Sequence, residues 1–410
     1  MSQLSQPTPP MGALIVIVAL LTGCTTTLTG HETRAPDPPP GPDGVTAALL
    51  DPGNYPTKPA PPLGSAGKLG GVMEAQRMAE FTVLPSDVDA TITQSALLEI
   101  GTSALPVGTA KSMDLVISGG ASDIAAAHYF IAGFSTARRS EISEHGKAIT
   151  NMVMRFPDPE SAADAAKQMA ALPSPTPSPR TPVPIPRHPD ALASTFDTRD
   201  ATNSHVVESY TPHGSYVLYQ YANAQENLDV AAQLVATTLE LQAPRIDGFA
   251  STDADRLADL PRDPNGLFAA TLRLPPDDES FVNGVYSARG ALQFEPDPAQ
   301  AAAMFDAVGV REVAISKAVV YEAKDHAGAQ RIADAITADA GNEKSLKPLP
   351  GIAGLPSAKC FDMGKSDKVG ATQFDCIAVA DRYAYRTFSH QDADVRQQTA
   401  AQYLMLTART

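Results

Sequence analysis

The sequence predicts an α+β protein of two tandem related β-α-β-β-α units, with antiparallel sheets and helices packed on one face of each sheet. Three observations lead to this fold class. The order of strand, helix, proline-containing loop, hairpin and helix occurs twice, over residues 151–239 and 318–406. Each unit contains a hairpin, which makes neighbouring strands antiparallel. Phe-Asp stands at the same point of both units, in ASTFDT and AKCFDM.

The first element of the chain is an apolar run at residues 12–21, which is followed by Leu-Thr-Gly-Cys. The run is shorter than the roughly 20 residues that a membrane span needs, and it is typical of the core of a signal peptide. Small residues before a cysteine are typical of a bacterial lipobox. Residues 1–23 are therefore predicted to be a lipoprotein signal peptide, and Cys24 the lipidated residue. The absence of Lys and Arg from residues 1–23 departs from the usual positively charged start.

Residues 24–70 are predicted to be a spacer rich in Pro, Thr and Gly. The stretch APDPPPGPDG cannot bury a core and is expected to be extended, which would hold a folded body away from the bilayer. The later stretch LDPGNYPTKPAPPLG contains apolar residues and a tyrosine. The sequence leaves open whether this stretch docks on the folded body.

An N-terminal α+β domain is predicted over residues 71–250. NMVMRF has the composition of a strand, and Asp158 followed by Pro159 is typical of the N-cap and first position of a helix. A proline-rich loop then leads to a hairpin over residues 205–223. The domain closes with a helix, beginning near Leu228, whose apolar residues share one face.

A C-terminal α+β domain is predicted over residues 281–410. Residues 251–280 mix proline, glycine and charge, and are predicted to be the connector between the domains. Asp297 and Asp325 precede helical patterns and are predicted to cap them. A second hairpin is expected to turn near Asp381.

The remaining cysteines, Cys360 and Cys376, are predicted to form one disulfide if the protein is exported to an oxidising compartment. Closing such a short loop stabilises a fold by about 3 kcal/mol. A metal pair is disfavoured because the chain contains no CxxC and no histidine at ligand spacing beside either residue.

The formal net charge is −15, and no run rich in Lys or Arg occurs. Binding to nucleic acid is therefore not expected, and neither is general electrostatic attachment to anionic lipid. The acidity is expected to serve solubility.

No catalytic residue, no cofactor and no metal ligand is predicted. The chain lacks the GxSxG, HExxH, GxxxxGK[ST] and GxGxxG motifs. An anchored hydrolase whose Ser, His and Asp come together only in space stays open as an alternative, because such sites are recognised by geometry. Its base would be His128, His205 or His390.

Three polar residues admit a binding role as well as a structural one. Arg138 and Arg139 follow GFSTA and could hold an anion, but we favour an exposed helix end. His213 is predicted to lie at a hairpin tip, where a solvated turn residue is the expected role.

Tyrosines share one strand face in each unit. Tyr219 and Tyr221 do so with Val217, and Tyr383 and Tyr385 do so in the counterpart strand. Such a stripe can form the floor of a ligand groove, since a tyrosine ring offers apolar area and a hydroxyl. We favour packing between a sheet and its helices.

Seven stretches occur in a specific order: the lipobox, LDPGNYPT, EAQRMAEF, GFSTARRS, RFPDPESAADAA, DPNGLFAATL and VYSARGALQFEPDP. Together they resemble a family of mycobacterial-type secreted lipoproteins of unknown function. The resemblance covers most of the chain from Leu50 onward. It implies an exported, acylated envelope protein with an N-terminal and a C-terminal domain, and it supplies no catalytic residues.

These observations predict a non-enzymatic cell-envelope protein, held at the extracytoplasmic face of the membrane by its N-terminal lipid. Its expected partner is an envelope protein or an apolar or cell-wall glycan ligand. Besides the hydrolase, a solute-binding protein is an alternative, which would require a deep cleft between the two domains.

Overall fold

A computed structural model describes residues 41, 43–96, 103–117, 119–141, 143, 145–196, 204–278, 280–342, 346–365 and 371–409. The predicted signal peptide, Cys24 and the first part of the spacer lie outside these residues. Residues Pro40–Thr410 cluster by their contacts into one unit.

The described residues contain fifteen strands. In chain order they are β1 (Gln94–Ser95), β2 (Ala104–Val107), β3 (Ala132–Arg139), β4 (Lys147–Arg155), β5 (Thr181–Pro182), β6 (Leu192–Thr195), β7 (His205–His213), β8 (Tyr216–Ala224), β9 (Gly284–Ser287), β10 (Glu312–Ile315), β11 (Ala318–Glu322), β12 (Lys347–Leu349), β13 (Lys359–Lys365), β14 (Thr372–Ala380) and β15 (Tyr383–Ser389).

The same ranges contain nine α-helices and several single turns of 3-10 helix. The α-helices are α1 (Gly70–Met78), α2 (Pro85–Val88), α3 (Ala121–Ala127), α4 (Pro159–Ala170), α5 (Leu228–Asp247), α6 (Ala288–Ala291), α7 (Pro298–Val308), α8 (His326–Asn342) and α9 (Asp392–Thr407). None of these helices combines the length and the apolar content needed to cross a membrane.

The strands form two sheets in which every pair of neighbours is antiparallel, as the sequence predicts. The N-terminal sheet has the order β1-β3-β4-β8-β7-β6-β5, with β2 also paired to β3. The C-terminal sheet has the order β9-β10-β11-β15-β14-β13-β12. In the N-terminal sheet β4 lies beside β8, the second strand of the hairpin β7–β8. In the C-terminal sheet β11 lies beside β15, the second strand of the hairpin β14–β15. Apart from β2, the strand order is therefore the same in the two halves.

Local signals place the helix starts where the sequence predicts them. The Asp158 carboxylate accepts a hydrogen bond from the backbone N–H of Ser161, and Pro159 is the first residue of α4. The Asp297 carboxylate accepts from the N–H groups of Ala299 and Gln300 at the start of α7. These bonds satisfy donors that the first helical turn leaves without partners.

Helices cover both faces of each sheet, which corrects the expectation of helices on one face. In β4, Met152 and Met154 pack with α4, whereas Val153 between them belongs to the cluster that contains α5. In β14, Ile377 packs with α8 and Ala378 with α9. Side chains alternate between faces along a strand, so a continuous apolar strand such as NMVMRF requires cover on both sides.

One part of the predicted connector, residues 267–272, is buried rather than exposed. Leu267, Phe268 and Leu272 belong to the core cluster between the C-terminal sheet and α9. The later part of the predicted spacer joins the same cluster, because Val45 and Leu50 are buried there. Both stretches therefore contribute to the packing of the C-terminal half.

The two halves also share a core. One cluster contains Ala75 and Met78 of α1 and Leu239 of α5 together with Tyr286 of β9 and Phe305 of α7. This shared packing positions the segment between β9 and α7, which carries the candidate site.

Candidate functional site

The candidate site is a cavity of about 360 Å³ in the C-terminal half, between α7 and α8 and over the sheet. Its lining residues come from six places in the chain, namely the turn before α7, the helices α7 and α8, and the strands β11, β13 and β15. They are Glu295, Pro296, Asp297, Gln300, Ala301, Met304, Phe305, Tyr321, Ile332, Ala335, Ile336, Met363 and Arg386.

The walls of the cavity are apolar because both helices present an apolar face to it. Ala301, Met304 and Phe305 are three and four residues apart in α7, and Ile332 and Ile336 are four apart in α8. Residues at these spacings lie on one side of a helix. The helices thus enclose the cavity with aliphatic and aromatic side chains.

The floor of the cavity is polar. The hydroxyl of Tyr321 on β11 donates a 3.0 Å hydrogen bond to the Glu295 carboxylate. Arg386 on β15 donates through Nε, at 2.5 Å, to the buried carboxylate of Asp375 on β14. Glu295 follows a turn of 3-10 helix, Leu292–Phe294, and this turn directs it under α7.

Burial raises the pKa of Glu295 to about 7. The hydrogen bond from Tyr321 and the positive charges of Arg386 and Arg138 act in the opposite direction but do not offset the loss of solvation. Burial also raises the pKa of the Tyr321 hydroxyl well above its usual value, so this group remains a donor. The floor therefore holds a carboxyl group that takes up or releases a proton near neutral pH.

Arg138 supports this floor from the N-terminal half. It lies in β3 and is fully buried, which corrects both the helix end and the solvent exposure expected from the sequence. Its guanidinium donates to the backbone carbonyls of Glu295 at 2.7 Å, Gln293 at 3.1 Å and Pro296 at 3.3 Å. It also donates to the carbonyl of Thr93 at 2.5 Å. The role of Arg138 is structural.

The described residues that line the cavity include no serine, cysteine, histidine or lysine. They offer apolar contact on the walls and hydrogen-bonding groups on the floor, namely a carboxyl, a hydroxyl and a guanidinium, and the polar Asp297 and Gln300 line the cavity at the start of α7. Such an arrangement can bind and orient a molecule that is apolar along most of its length and polar at one end. Across the described ranges, no group of three His, Cys, Asp or Glu residues is placed to hold a metal ion.

The histidines considered as bases lie elsewhere. His128 follows α3 as its C-cap residue, and its Nε2 lies 2.8 Å from the side-chain nitrogen of Gln168. His390 Nδ1 lies 3.2 Å from the carbonyl oxygen of Thr372, and His205 is exposed at the start of β7. His213, at the end of β7, contacts the Asp247 carboxylate at 2.7 Å. None of these four residues lines the cavity.

Three of the four tyrosines of the two stripes are packed in the interior, and Tyr221 is half-buried. Tyr219 is buried, and its hydroxyl donates to the Glu208 carboxylate at 3.1 Å. Tyr385 is fully buried and donates to the carbonyl of Thr399 at 3.0 Å, and Tyr383 is buried beside it. These rings fill space between strands and helices, as the favoured interpretation had it.

Cys360 and Cys376 are bonded to each other in the structure. They lie directly opposite on β13 and β14, and they pack against Val395 of α9. Asp375, which holds Arg386 at the floor of the cavity, is the neighbour of Cys376 in β14. The disulfide therefore fixes the strand pair beside the site.

Sequence reasoning missed Glu295, Tyr321 and Arg386. The two helix faces could have been found from the spacing of apolar residues in α7 and α8. The floor has no comparable signal, because its three polar residues are separated by 26 residues or more and meet only through the order of the strands.

Two family models match this chain. A domain of unknown function, DUF7373 N-terminal, matches residues 62–262, and its C-terminal counterpart matches residues 267–409. The two matches together cover most of the chain. A comparison with curated proteins finds no match.

Among solved structures, the extracellular domain of PknH from Mycobacterium tuberculosis is matched with a TM-score of 0.26 and 12% identity. That match covers 39% of this chain and 91% of the PknH domain.

Proposed function

Since the chain belongs to the DUF7373 family, whose function is unknown, we propose its role from its own residues. It is a lipid-anchored protein at the extracytoplasmic face of the cell membrane, and it is not an enzyme. Its C-terminal half binds an amphiphilic ligand in the cavity between α7 and α8. The observation that carries the proposal is the separation of apolar walls from a polar floor in that cavity.

The anchor rests on the start of the sequence. An apolar run at residues 12–21 is followed by small residues and Cys24, and a proline-rich segment comes next. Cys24→Ser is expected to abolish lipid labelling and to release the protein from membranes. Thr26→Ser is the control and should change neither. Membrane retention of the Cys24→Ser variant would contradict the proposal.

The cavity has the size of a small-ligand site, since such sites enclose about 300–1,000 Å³ and are mostly apolar. Its volume of about 360 Å³ suits an alkyl chain or a comparable apolar body. Burial of apolar surface contributes about 25 cal/mol per Å², so the walls would supply most of the binding free energy.

The polar end of the ligand is expected to be neutral. The charge of Arg386 is already matched by Asp375, and an anionic head would lie close to the Glu295 carboxyl as well. A cationic head would meet the guanidinium of Arg386. Hydroxyl or amide groups can both donate to Glu295 and accept from it or from Arg386. A hydroxyl-bearing or sugar head on an apolar chain therefore fits best.

Octyl glucoside, below its micelle concentration, is the probe for this proposal, and octanoate is the matched anionic compound. Titration calorimetry on the full chain carrying Cys24→Ser should detect octyl glucoside and find octanoate weaker. Ile336→Arg places a charge on the apolar wall and is expected to weaken octyl glucoside at least about tenfold.

The control is Leu241→Arg, which makes the same kind of change at an exposed position of α5. It should leave the affinity unchanged. The proposal fails if wild type does not bind octyl glucoside, if Ile336→Arg binds it as wild type does, or if octanoate binds more tightly.

A further inference from the structure

A second cavity, of about 530 Å³, lies on the other side of the C-terminal half, where the docked spacer segment meets the buried connector and α9. Ala60 fastens this segment by donating its backbone N–H to the carbonyl of Ala269 at 2.8 Å. The lining residues are Tyr55, Pro56, Lys58, Ala60, Ala269, Thr271, Arg273, Leu274, Pro275, Lys317 and Met405.

Three cations line this cavity, namely Lys58, Arg273 and Lys317, and none of the described lining residues is a carboxylate. Within the part of the chain that the structure describes, no carboxylate lies within ion-pair distance of any of the three. The chain as a whole carries a net charge of −15. Among the described residues these three cations have no ion-pair partner, so the cluster is a local exception to the net negative charge of the protein.

Arg273 and Lys317 are partly buried. The free-energy cost of a charge without an ion-pair partner is higher there than in open solvent. Each has an aromatic neighbour instead. The Arg273 guanidinium lies 6.0 Å from the centre of the Phe268 ring, and Lys317 Nζ lies 5.7 Å from that of Tyr55. Contacts of this kind are weaker than a charge-assisted hydrogen bond to an anion.

The positive charge of Lys317 helps to lower the pKa of the nearby Asp394 carboxyl, but the oxygens of Asp394 already accept hydrogen bonds from other groups. It accepts hydrogen bonds from the Tyr55 hydroxyl at 2.7 Å, from Ser389 at 2.5 Å and from Gln398 at 2.7 Å. Asp394 therefore positions Tyr55 at the rim and leaves the ammonium of Lys317 available to a ligand.

We propose that this cavity binds the phosphate group of a phosphate-bearing ligand. Lys58, Arg273 and Lys317 contact the phosphate oxygens, and Leu274, Met405 and the neighbouring prolines contact the carbon skeleton next to it. A phosphate offers oxygens to several donors at once, which suits a guanidinium beside two ammonium groups. The net charge of the protein disfavours a broad basic surface. A phosphate site in this cavity is compatible with that charge because it needs only three cations.

The test uses the full chain with Cys24→Ser and two probes: inorganic phosphate, measured by calorimetry, and vesicles of phosphatidylglycerol compared with vesicles of phosphatidylcholine. Arg273→Gln and Lys317→Gln are each expected to weaken phosphate binding about tenfold, since each removes a charge-assisted contact. Lys68→Gln is the matched control, because Lys68 is exposed and lies outside the cavity. It should bind like wild type.

The two probes distinguish the sources of the phosphate. Binding of inorganic phosphate without preference for phosphatidylglycerol vesicles indicates a soluble phosphate ester. A preference for those vesicles that Arg273→Gln and Lys317→Gln remove, and Lys68→Gln keeps, indicates a lipid headgroup. The proposal is overturned if wild type binds neither probe, or if the two cavity variants bind both probes as the Lys68→Gln variant does. Octyl glucoside binding at the other cavity should be unaffected in either variant.

Discussion

The guanidinium of Arg138 donates a 2.7 Å hydrogen bond to the backbone carbonyl of Glu295, across the boundary between the two halves of the protein. Arg138 belongs to the N-terminal sheet, and Glu295 forms the floor of the cavity in the C-terminal half. The bond ties the position of the Glu295 backbone to the N-terminal sheet, so the cavity floor depends on both halves.

Arg138→Met is expected to lower the free energy of unfolding by about 3–5 kcal/mol, because removing a buried arginine leaves its hydrogen-bond partners unsatisfied. Four backbone carbonyls would lose their donor. Urea unfolding followed by circular dichroism measures the change. Arg139→Met is the control at the next position and should cost less than about 1 kcal/mol. Equal losses in both variants would show that the Arg138 contacts are not the cause.

The stability of the protein is expected to fall as pH rises from about 4.5 to 7, through the contribution of Glu295. The pKa of this carboxyl is about 7 in the folded protein and near its usual 4.5 when the chain unfolds. Between these values the folded state binds more protons than the unfolded state, so raising the pH favours unfolding. The contribution reaches about 3–4 kcal/mol and is complete above pH 7.

Glu295→Gln should remove this contribution. The variant is expected to gain stability relative to wild type as pH rises from 5 to 8, when both are unfolded in urea over that range. Glu160→Gln, at an exposed position of α4, should track wild type at every pH. A constant difference between wild type and Glu295→Gln would mean that Glu295 does not titrate in this window.

Peptide mapping without reductant should find Cys360 linked to Cys376. Replacing both with serine is expected to cost about 2–4 kcal/mol of unfolding free energy, because the unfolded chain loses the constraint of the closed loop. Cys24→Ser should leave the unfolding of the body unchanged. Two freely alkylated thiols in protein taken from the envelope would contradict the disulfide and the oxidising compartment.

A fragment of the C-terminal half is expected to be more stable when it keeps the connector residues that are buried in its core. A fragment of residues 263–410 contains the buried Leu267, Phe268 and Leu272, whereas a fragment of residues 281–410 lacks them. The longer fragment should show a cooperative unfolding transition at higher urea than the shorter one. If the fragments of residues 71–250 and 263–410 are each unfolded alone and fold only when they are mixed, the two halves are one interleaved domain.

The sequence by itself determined the features that depend on a few neighbouring residues. Asp158 and Asp297 cap helices because the acceptor and its N–H partners lie within three residues of each other. The hairpin turn at Asp381 and the order of strands and helices followed from patterns of similar range. The α+β class with antiparallel sheets could be predicted because these local elements leave few ways to pack.

Tertiary structure decided where the helices pack and what the strands bring together. Whether α4 and α5 share a face of the sheet depends on the path of the loops between them, which no local pattern specifies. Arg138 is buried because carbonyls more than 150 residues away accept its hydrogen bonds. Glu295 has a raised pKa because distant elements exclude water from it. Solvation and long-range hydrogen bonding are properties of the packed molecule, so the sequence alone shows the apolar helix faces of the first cavity but carries no sign of its polar floor.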